Sequence, residues 1–79
     1  MAKVIVYSTQ TCPYCHTLKA YLEDNQVAFE DIDVAVDEKA REDMVKKSGQ
    51  MGVPVTDIDG QIIIGFDRQK ISELLNIKE

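Results

Sequence analysis

Hydrophobic and polar residues follow two different periods along the chain, and each period predicts one kind of element. Four runs rich in β-branched and aromatic residues predict strands at residues 3–7, 27–34, 55–58 and 61–64. In three other segments, apolar residues recur every three or four positions, which is the spacing of one helix face. The order βαβαββα predicts an α/β fold with a four-stranded mixed sheet and three helices packed on its faces.

The first predicted helix begins beside two cysteines. It starts at Pro13, because the first helical position needs no N–H donor, so Thr11 or Cys12 is expected to cap it. Its apolar face is predicted to contain Cys15, Leu18, Tyr21 and Leu22. Other faces are assigned to Lys19, Glu23 and Asp24.

Local signals also delimit the rest of the chain. The second helix is predicted from about Asp37 to Ser48, with lysines in its last turn and Gly49 placed to end it. Asp59 and Gly60, which lie between two apolar runs, predict a two-residue hairpin turn. Asp67 is expected to cap the third helix. The apolar residues of that helix are Ile71, Leu74 and Leu75.

Length and charge narrow the class of protein. A chain of 79 residues has room for one core, so we expect a single domain over residues 1–79, and a monomer. The 14 acidic and 9 basic residues give a net charge of -5, which repels a phosphate backbone. We therefore expect no nucleic-acid partner.

The sequence predicts neither export nor membrane insertion. The apolar run near the N-terminus is shorter than the core of a signal peptide, which needs about 7 residues or more. No apolar stretch approaches the roughly 20 residues that span a bilayer. We expect a cytoplasmic protein without membrane association. In that compartment, two neighbouring cysteines are more often catalytic or metal-binding than structural.

The segment TCPYCHTL, residues 11–18, carries the candidate chemistry. Two cysteines separated by two residues and followed by a histidine are typical of a redox dithiol, a zinc site or a haem attachment sequence. The absence of an export signal and the small core disfavour haem. Zinc usually needs four ligands, and the adjacent Cys15 and His16 point about 100° apart on a helix. An iron-sulfur cluster or metal bound by Cys12 in a dimer remains an alternative.

The position of the cysteines favours the redox interpretation. At a helix N-terminus, unpaired backbone N–H groups and the positive end of the helix dipole favour the thiolate of Cys12. Cys15 lies one turn further in, so we expect it to be more buried and to react second. A disulfide between them closes a loop of only four residues and contributes about 1.9 kcal/mol, which makes it a better switch than a staple.

Three motifs resemble those of the glutaredoxins. CPYC follows the first strand, VP precedes the hairpin and GFD leads into the last helix, so the resemblance covers nearly the whole chain. The GF element is also similar to that of the redoxins that supply ribonucleotide reductase. The resemblance implies a thioredoxin-like fold and a thiol-disulfide oxidoreductase in which Cys12 is the nucleophile and Cys15 the resolving thiol.

The resemblance also implies a binding groove, substrates and an electron donor. Pro54 is expected to follow a cis peptide bond, and the backbone of Val53 to pair with the substrate. The γ-glutamyl end of glutathione is expected at Gly65, Phe66 and Asp67. The other implied substrate contacts are Thr11, Pro13 and Tyr14. Disulfide-containing proteins are the implied substrates, with glutathione or a thioredoxin reductase as electron donor and no tightly bound cofactor. The chain departs from the usual glutaredoxin residues at Gln10, Gly52, Ile64 and Arg68.

Overall fold

The computed structural model describes residues 3–77, which form a sheet with helices on both faces. The strands are β1 (Val4–Ser8), β2 (Glu30–Asp33), β3 (Val55–Ile58) and β4 (Gln61–Ile64). The helices are α1 (Pro13–Asp24), α2 (Glu38–Ser48) and α3 (Arg68–Leu75). This order confirms the predicted βαβαββα arrangement.

The sheet is mixed, and its strand order is β2-β1-β3-β4. β1 is parallel to β2 and antiparallel to β3, while β3 and β4 form an antiparallel hairpin. Asp59 and Gly60 join that hairpin with φ values of 51° and 91°, as a two-residue turn of this kind requires. Gly49 ends α2 at a φ of 75°. The predicted hairpin and helix end are therefore confirmed.

Side chains of β1 alternate between two apolar cores, one on each face of the sheet. Val4 and Val6 face α1 and α3, whereas Ile5 and Tyr7 face α2. The first core contains the buried residues Val4, Val6, Leu18, Leu22, Ile58, Ile63 and Ile71. The second contains Tyr7, Val34, Ala40, Met44 and Val55. Burial on both faces fixes β1 at the centre of the fold, with its C-terminal end directed toward the cysteine segment.

The predicted boundaries of two strands were wrong. β2 does not extend over residues 27–34, because the Val27 N–H donates to the Leu22 carbonyl at 2.9 Å and so belongs to the end of α1. Val27 and Phe29 are apolar because they pack against the first core, without strand pairing. β1 begins one residue later than predicted, since the Lys3 N–H donates to the Asp59 carboxylate at 2.8 Å in the hairpin turn.

None of the helices within residues 3–77 has the length and apolar character needed to cross a membrane.

Candidate functional site

Cys12 lies at the N-terminus of α1, where the structure assigns it as the capping residue. Its sulfur accepts a hydrogen bond from the Cys15 backbone N–H at 3.3 Å. The Cys12 sulfur also lies 3.9 Å from the Val53 carbonyl oxygen, to which its S–H group can donate. Pro13 occupies the first turn of the helix, as predicted. Both cysteines are free thiols, and Cys12 is partly exposed.

Cys15 is enclosed by the protein, with no exposed surface. Burial raises the pKa of the Cys15 thiol to about 11, and the hydrogen bond and charge of the neighbouring Cys12 sulfur act in the same direction. The Thr9 backbone and the Lys19 charge oppose this increase. Cys15 therefore keeps its proton at neutral pH, and the expected difference in burial between the two cysteines is confirmed.

A cavity beside Cys12 brings together residues from three segments of the chain. The Val53–Pro54 peptide bond is cis, as the resemblance implies. The Gly65 N–H donates to the Pro54 carbonyl at 2.9 Å and joins this loop to the end of β4. The cavity measures about 260 Å³. Its lining comprises Tyr14, Val53, Pro54, Gly65 and Phe66.

Phe66 contributes to both the cavity and the fold. Its ring contacts the Tyr21 ring edge-on, with 5.7 Å between centroids, and packs against the first core. Tyr14, which also lines the cavity, has 69% of its surface exposed. The aromatic wall at Phe66 is therefore held by packing, while Tyr14 lies at the open rim.

The remaining predicted contact residues lie outside the cavity lining. Thr11 and Pro13 are exposed next to Cys12. The Asp67 carboxylate accepts the Lys70 N–H at 3.1 Å, which confirms the predicted cap of α3. This carboxylate is therefore already engaged with the backbone of its own helix.

A network of three polar residues near Cys15 was not predicted. The Lys19 ammonium lies 3.0 Å from Asp31 Oδ2, and the Ser8 hydroxyl donates to Asp31 Oδ1 at 2.7 Å. Burial opposes ionisation of Asp31, but the hydrogen bonds from Ser8 and Lys19 outweigh it and lower the pKa of that carboxyl group. Lys19 was assigned to a face other than the apolar one, and the buried residues of α1 are Cys15, Leu18 and Leu22. Lys19 and Cys15 are four residues apart, the spacing that places side chains together on a helix.

His16 is exposed and contacts the segment before the nucleophile. Its Nε2 atom lies 2.7 Å from the Gln10 carbonyl, to which the ring N–H donates. The histidine therefore joins α1 to the loop that precedes Cys12.

Possible metal ligands are dispersed over the described part of the chain. In this part of the chain, no three His, Cys, Asp or Glu residues lie close enough together to bind a metal ion. This arrangement provides no closed zinc site for Cys15 and His16. A cluster held by Cys12 between two chains concerns a dimer and stays a hypothesis.

The sheet order and the cysteine-bearing helix define a thioredoxin-like protein, and comparison with known proteins identifies the family. The chain belongs to the glutaredoxin family, whose model matches residues 4–63. A glutaredoxin-like 8.6 kDa protein in the rubredoxin operon of Clostridium pasteurianum is 49% identical over 89% of this chain and 93% of its own. Glutaredoxin 3 of Escherichia coli K12 is 43% identical over 85% of this chain and 81% of its own.

The solved structures agree with this assignment. A variant of the thioredoxin-like protein BC3987 superposes with a TM-score of 0.92 at 37% identity, covering 99% of this chain and all of that one. Both the family and the fold support a function of the thiol-disulfide oxidoreductase type.

Proposed function

We propose that this protein is a dithiol thiol-disulfide oxidoreductase that reduces protein disulfides or mixed disulfides with glutathione. Cys12 is the nucleophile and Cys15 the resolving thiol. The observation that carries the proposal is their unequal environment: the Cys12 sulfur is partly exposed and accepts a backbone N–H, whereas the Cys15 thiol is fully buried. Only the first can meet a disulfide of another molecule.

The reaction proceeds in two exchanges. The Cys12 thiolate attacks one sulfur of the substrate disulfide, forms a mixed disulfide and releases the other sulfur as a thiolate. Cys15 then attacks Cys12, and the Cys12–Cys15 bond forms as the bond to the substrate breaks. The substrate leaves reduced by two electrons, with the Cys15 proton transferred to the departing thiolate. The protein is left oxidised and needs a reductant.

The cavity beside Cys12 is the proposed substrate groove. Val53 supplies backbone groups to an extended substrate segment, in the manner of strand addition, next to Pro54. Tyr14 and Phe66 form its apolar sides. The remaining proposed contacts are Thr11, Pro13, Gly65 and Asp67.

Glutathione or a thioredoxin reductase recycles the oxidised protein, with no tightly bound cofactor. Gln10 replaces a lysine whose charge would attract a glutathione carboxylate, and its carbonyl already receives His16. Parallel NADPH-coupled assays, one with glutathione and its reductase and one with thioredoxin reductase, identify the donor. We further propose one domain over residues 1–79, acting as a cytoplasmic monomer.

The same substitution at each cysteine tests the assignment, and each variant is the matched control of the other. Cys12→Ser should abolish reduction of insulin and of hydroxyethyl disulfide. Cys15→Ser should lose insulin reduction but keep a glutathione-dependent reduction of hydroxyethyl disulfide. Unchanged turnover in Cys12→Ser would refute the proposed function.

A further inference from the structure

The resolving thiol has to lose a proton in a place that disfavours its charge. This consideration rests on the proposed function, in which Cys15 attacks the mixed disulfide on Cys12. With a pKa of about 11, roughly one Cys15 in ten thousand is ionised at pH 7. A fixed positive charge near this sulfur therefore has a direct influence on the second exchange.

Lys19 follows Cys15 by four residues on α1, a spacing that places two side chains next to each other on a helix, and the fold holds its positive charge in place. Its side chain is only 17% exposed, although lysine side chains usually extend into solvent. The ammonium lies 3.0 Å from Asp31 Oδ2 and 3.5 Å from Ser8 Oγ. Ser8 is buried and also donates to Asp31 at 2.7 Å, so the carboxylate that binds the ammonium is itself held in position.

The surroundings of Cys15 change when the mixed disulfide forms. In the free protein, a negative charge on the Cys12 sulfur opposes ionisation of Cys15, and the Lys19 charge favours it. The Cys12 sulfur cannot be ionised once it is bonded to a substrate sulfur. The Lys19 charge and the Thr9 backbone contact then act without that opposition. His16, the next residue, is exposed and directed to the Gln10 carbonyl.

We propose that the Lys19 ammonium promotes the resolving step by favouring the Cys15 thiolate, and that Asp31 and Ser8 are positioning residues that hold this ammonium. In this step the Cys15 S–H bond breaks, the Cys12–Cys15 bond forms and the bond between Cys12 and the substrate sulfur breaks. The departing substrate thiolate takes up the proton, so charge and electrons balance.

The size of the effect follows from two opposing dependences on the thiol pKa. Each unit of increase lowers the ionised fraction tenfold, whereas the thiolate that remains becomes about threefold more nucleophilic. The net loss is about three- to fourfold per unit. The Lys19 charge is the smallest of the causes that act on the Cys15 thiol, so Lys19→Met should slow the resolving step by at most about three- to fourfold.

Single-turnover reaction with the aryl disulfide dithiobis(nitrobenzoate) separates the two exchanges. Attack by Cys12 releases one equivalent of the coloured nitrothiobenzoate, and resolution by Cys15 releases the second. Cys15→Ser should give the first phase alone, which identifies the second phase as the resolving step. Lys19→Met should leave the first phase within about twofold, slow the second and displace its pH profile to higher pH.

Two further variants distinguish the charge from packing. Lys19→Arg should retain a wild-type second phase, because it preserves the charge and a donor for Asp31. Lys39→Met removes an exposed lysine of α2 and should leave both phases unchanged. Urea unfolding of each variant checks that it is folded.

The possible failures have different meanings. No first phase in the wild-type protein would contradict the proposed function itself. A normal first phase, with a second phase that is equally fast in Lys19→Met at every pH, would contradict the role of Lys19. The same conclusion follows if Lys19→Arg is as slow as Lys19→Met, since a packing defect then accounts for both.

Discussion

The buried thiol of Cys15 should make the stability of the reduced protein depend on alkaline pH. Folding raises the pKa of this thiol from 9.0 to about 11. Because the folded pKa lies above the unfolded one, the contribution to stability is complete below pH 9 and is lost as the pH rises through 11. A difference of two units at about 1.36 kcal/mol per unit sets an upper limit of about 2.7 kcal/mol.

Urea unfolding of the reduced wild-type protein and of Cys15→Ala, measured between pH 7 and pH 11 with a reductant present, isolates this contribution. At neutral pH the variant should be less stable by about 1 to 2 kcal/mol, because it leaves a small cavity. The difference should shrink by about 2 kcal/mol as the thiol ionises in the wild type. Subtraction cancels other groups that titrate in this range, including Lys47, whose hydrogen bonds to Tyr7 and Asp57 raise its pKa to about 12.

Cys12→Ala is the matched control, because it removes the partly exposed thiol and leaves the buried one. It should retain most of the alkaline loss of stability seen in the wild type. If Cys15→Ala loses as much free energy of unfolding between pH 9 and pH 11 as the wild-type protein, burial does not hold the Cys15 proton. The distinction between an accessible and a protected thiol would then lose its electrostatic basis.

Three further predictions concern the framework of the site, and urea unfolding at pH 7 measures each of them. Thr56→Val should raise the free energy of unfolding by about 1 kcal/mol, because the buried Thr56 hydroxyl has no hydrogen-bond partner among the described residues. A loss of stability would show that this hydroxyl does have a partner. Gly60→Ala should lower the free energy of unfolding by about 1 to 2 kcal/mol. The cause is the φ of 91° alone, since an added Cβ has open space around it. An unchanged urea midpoint would contradict this prediction. Asp67→Ala should lower the free energy of unfolding by about 1 kcal/mol, because it removes the cap of α3. Asp67→Asn should lower it much less, since asparagine also caps helices. Equal losses in the two variants would exclude the cap as the cause.

The parts of the fold that the sequence predicted well are those with a local physical cause. Proline at the start of a helix and two residues in a tight turn restrict the backbone wherever they occur, so Pro13, Asp59 and Gly60 were placed correctly. The start of β2 was not, because Val27 and Phe29 are apolar for a different reason. They pack against a core formed by distant segments, and periodicity alone does not distinguish packing from strand pairing.

In the candidate site too, features set by neighbouring residues were predicted, whereas those set by distant segments were not. Cys12 and Cys15 are neighbours in sequence, and their helical position follows from Pro13. The Ser8–Asp31 bond spans 23 residues and depends on the parallel pairing of β1 and β2. A sequence pattern does not give this register. For the same reason, the helical pattern that assigned Lys19 to a polar face could not give its contacts with Ser8 and Asp31.

The two thiols lie one helical turn apart, and burial of the Cys15 side chain and a backbone hydrogen bond to the Cys12 sulfur give them different surroundings. Pro13 has no N–H, and the donor that reaches the Cys12 sulfur is the N–H of Cys15 itself. The resolving residue therefore supports the nucleophile with its main chain and serves the second exchange with its side chain. Because Cys15→Ser removes only the side-chain function, the N–H that faces Cys12 remains. We therefore expect the first exchange to survive in Cys15→Ser and the second to disappear.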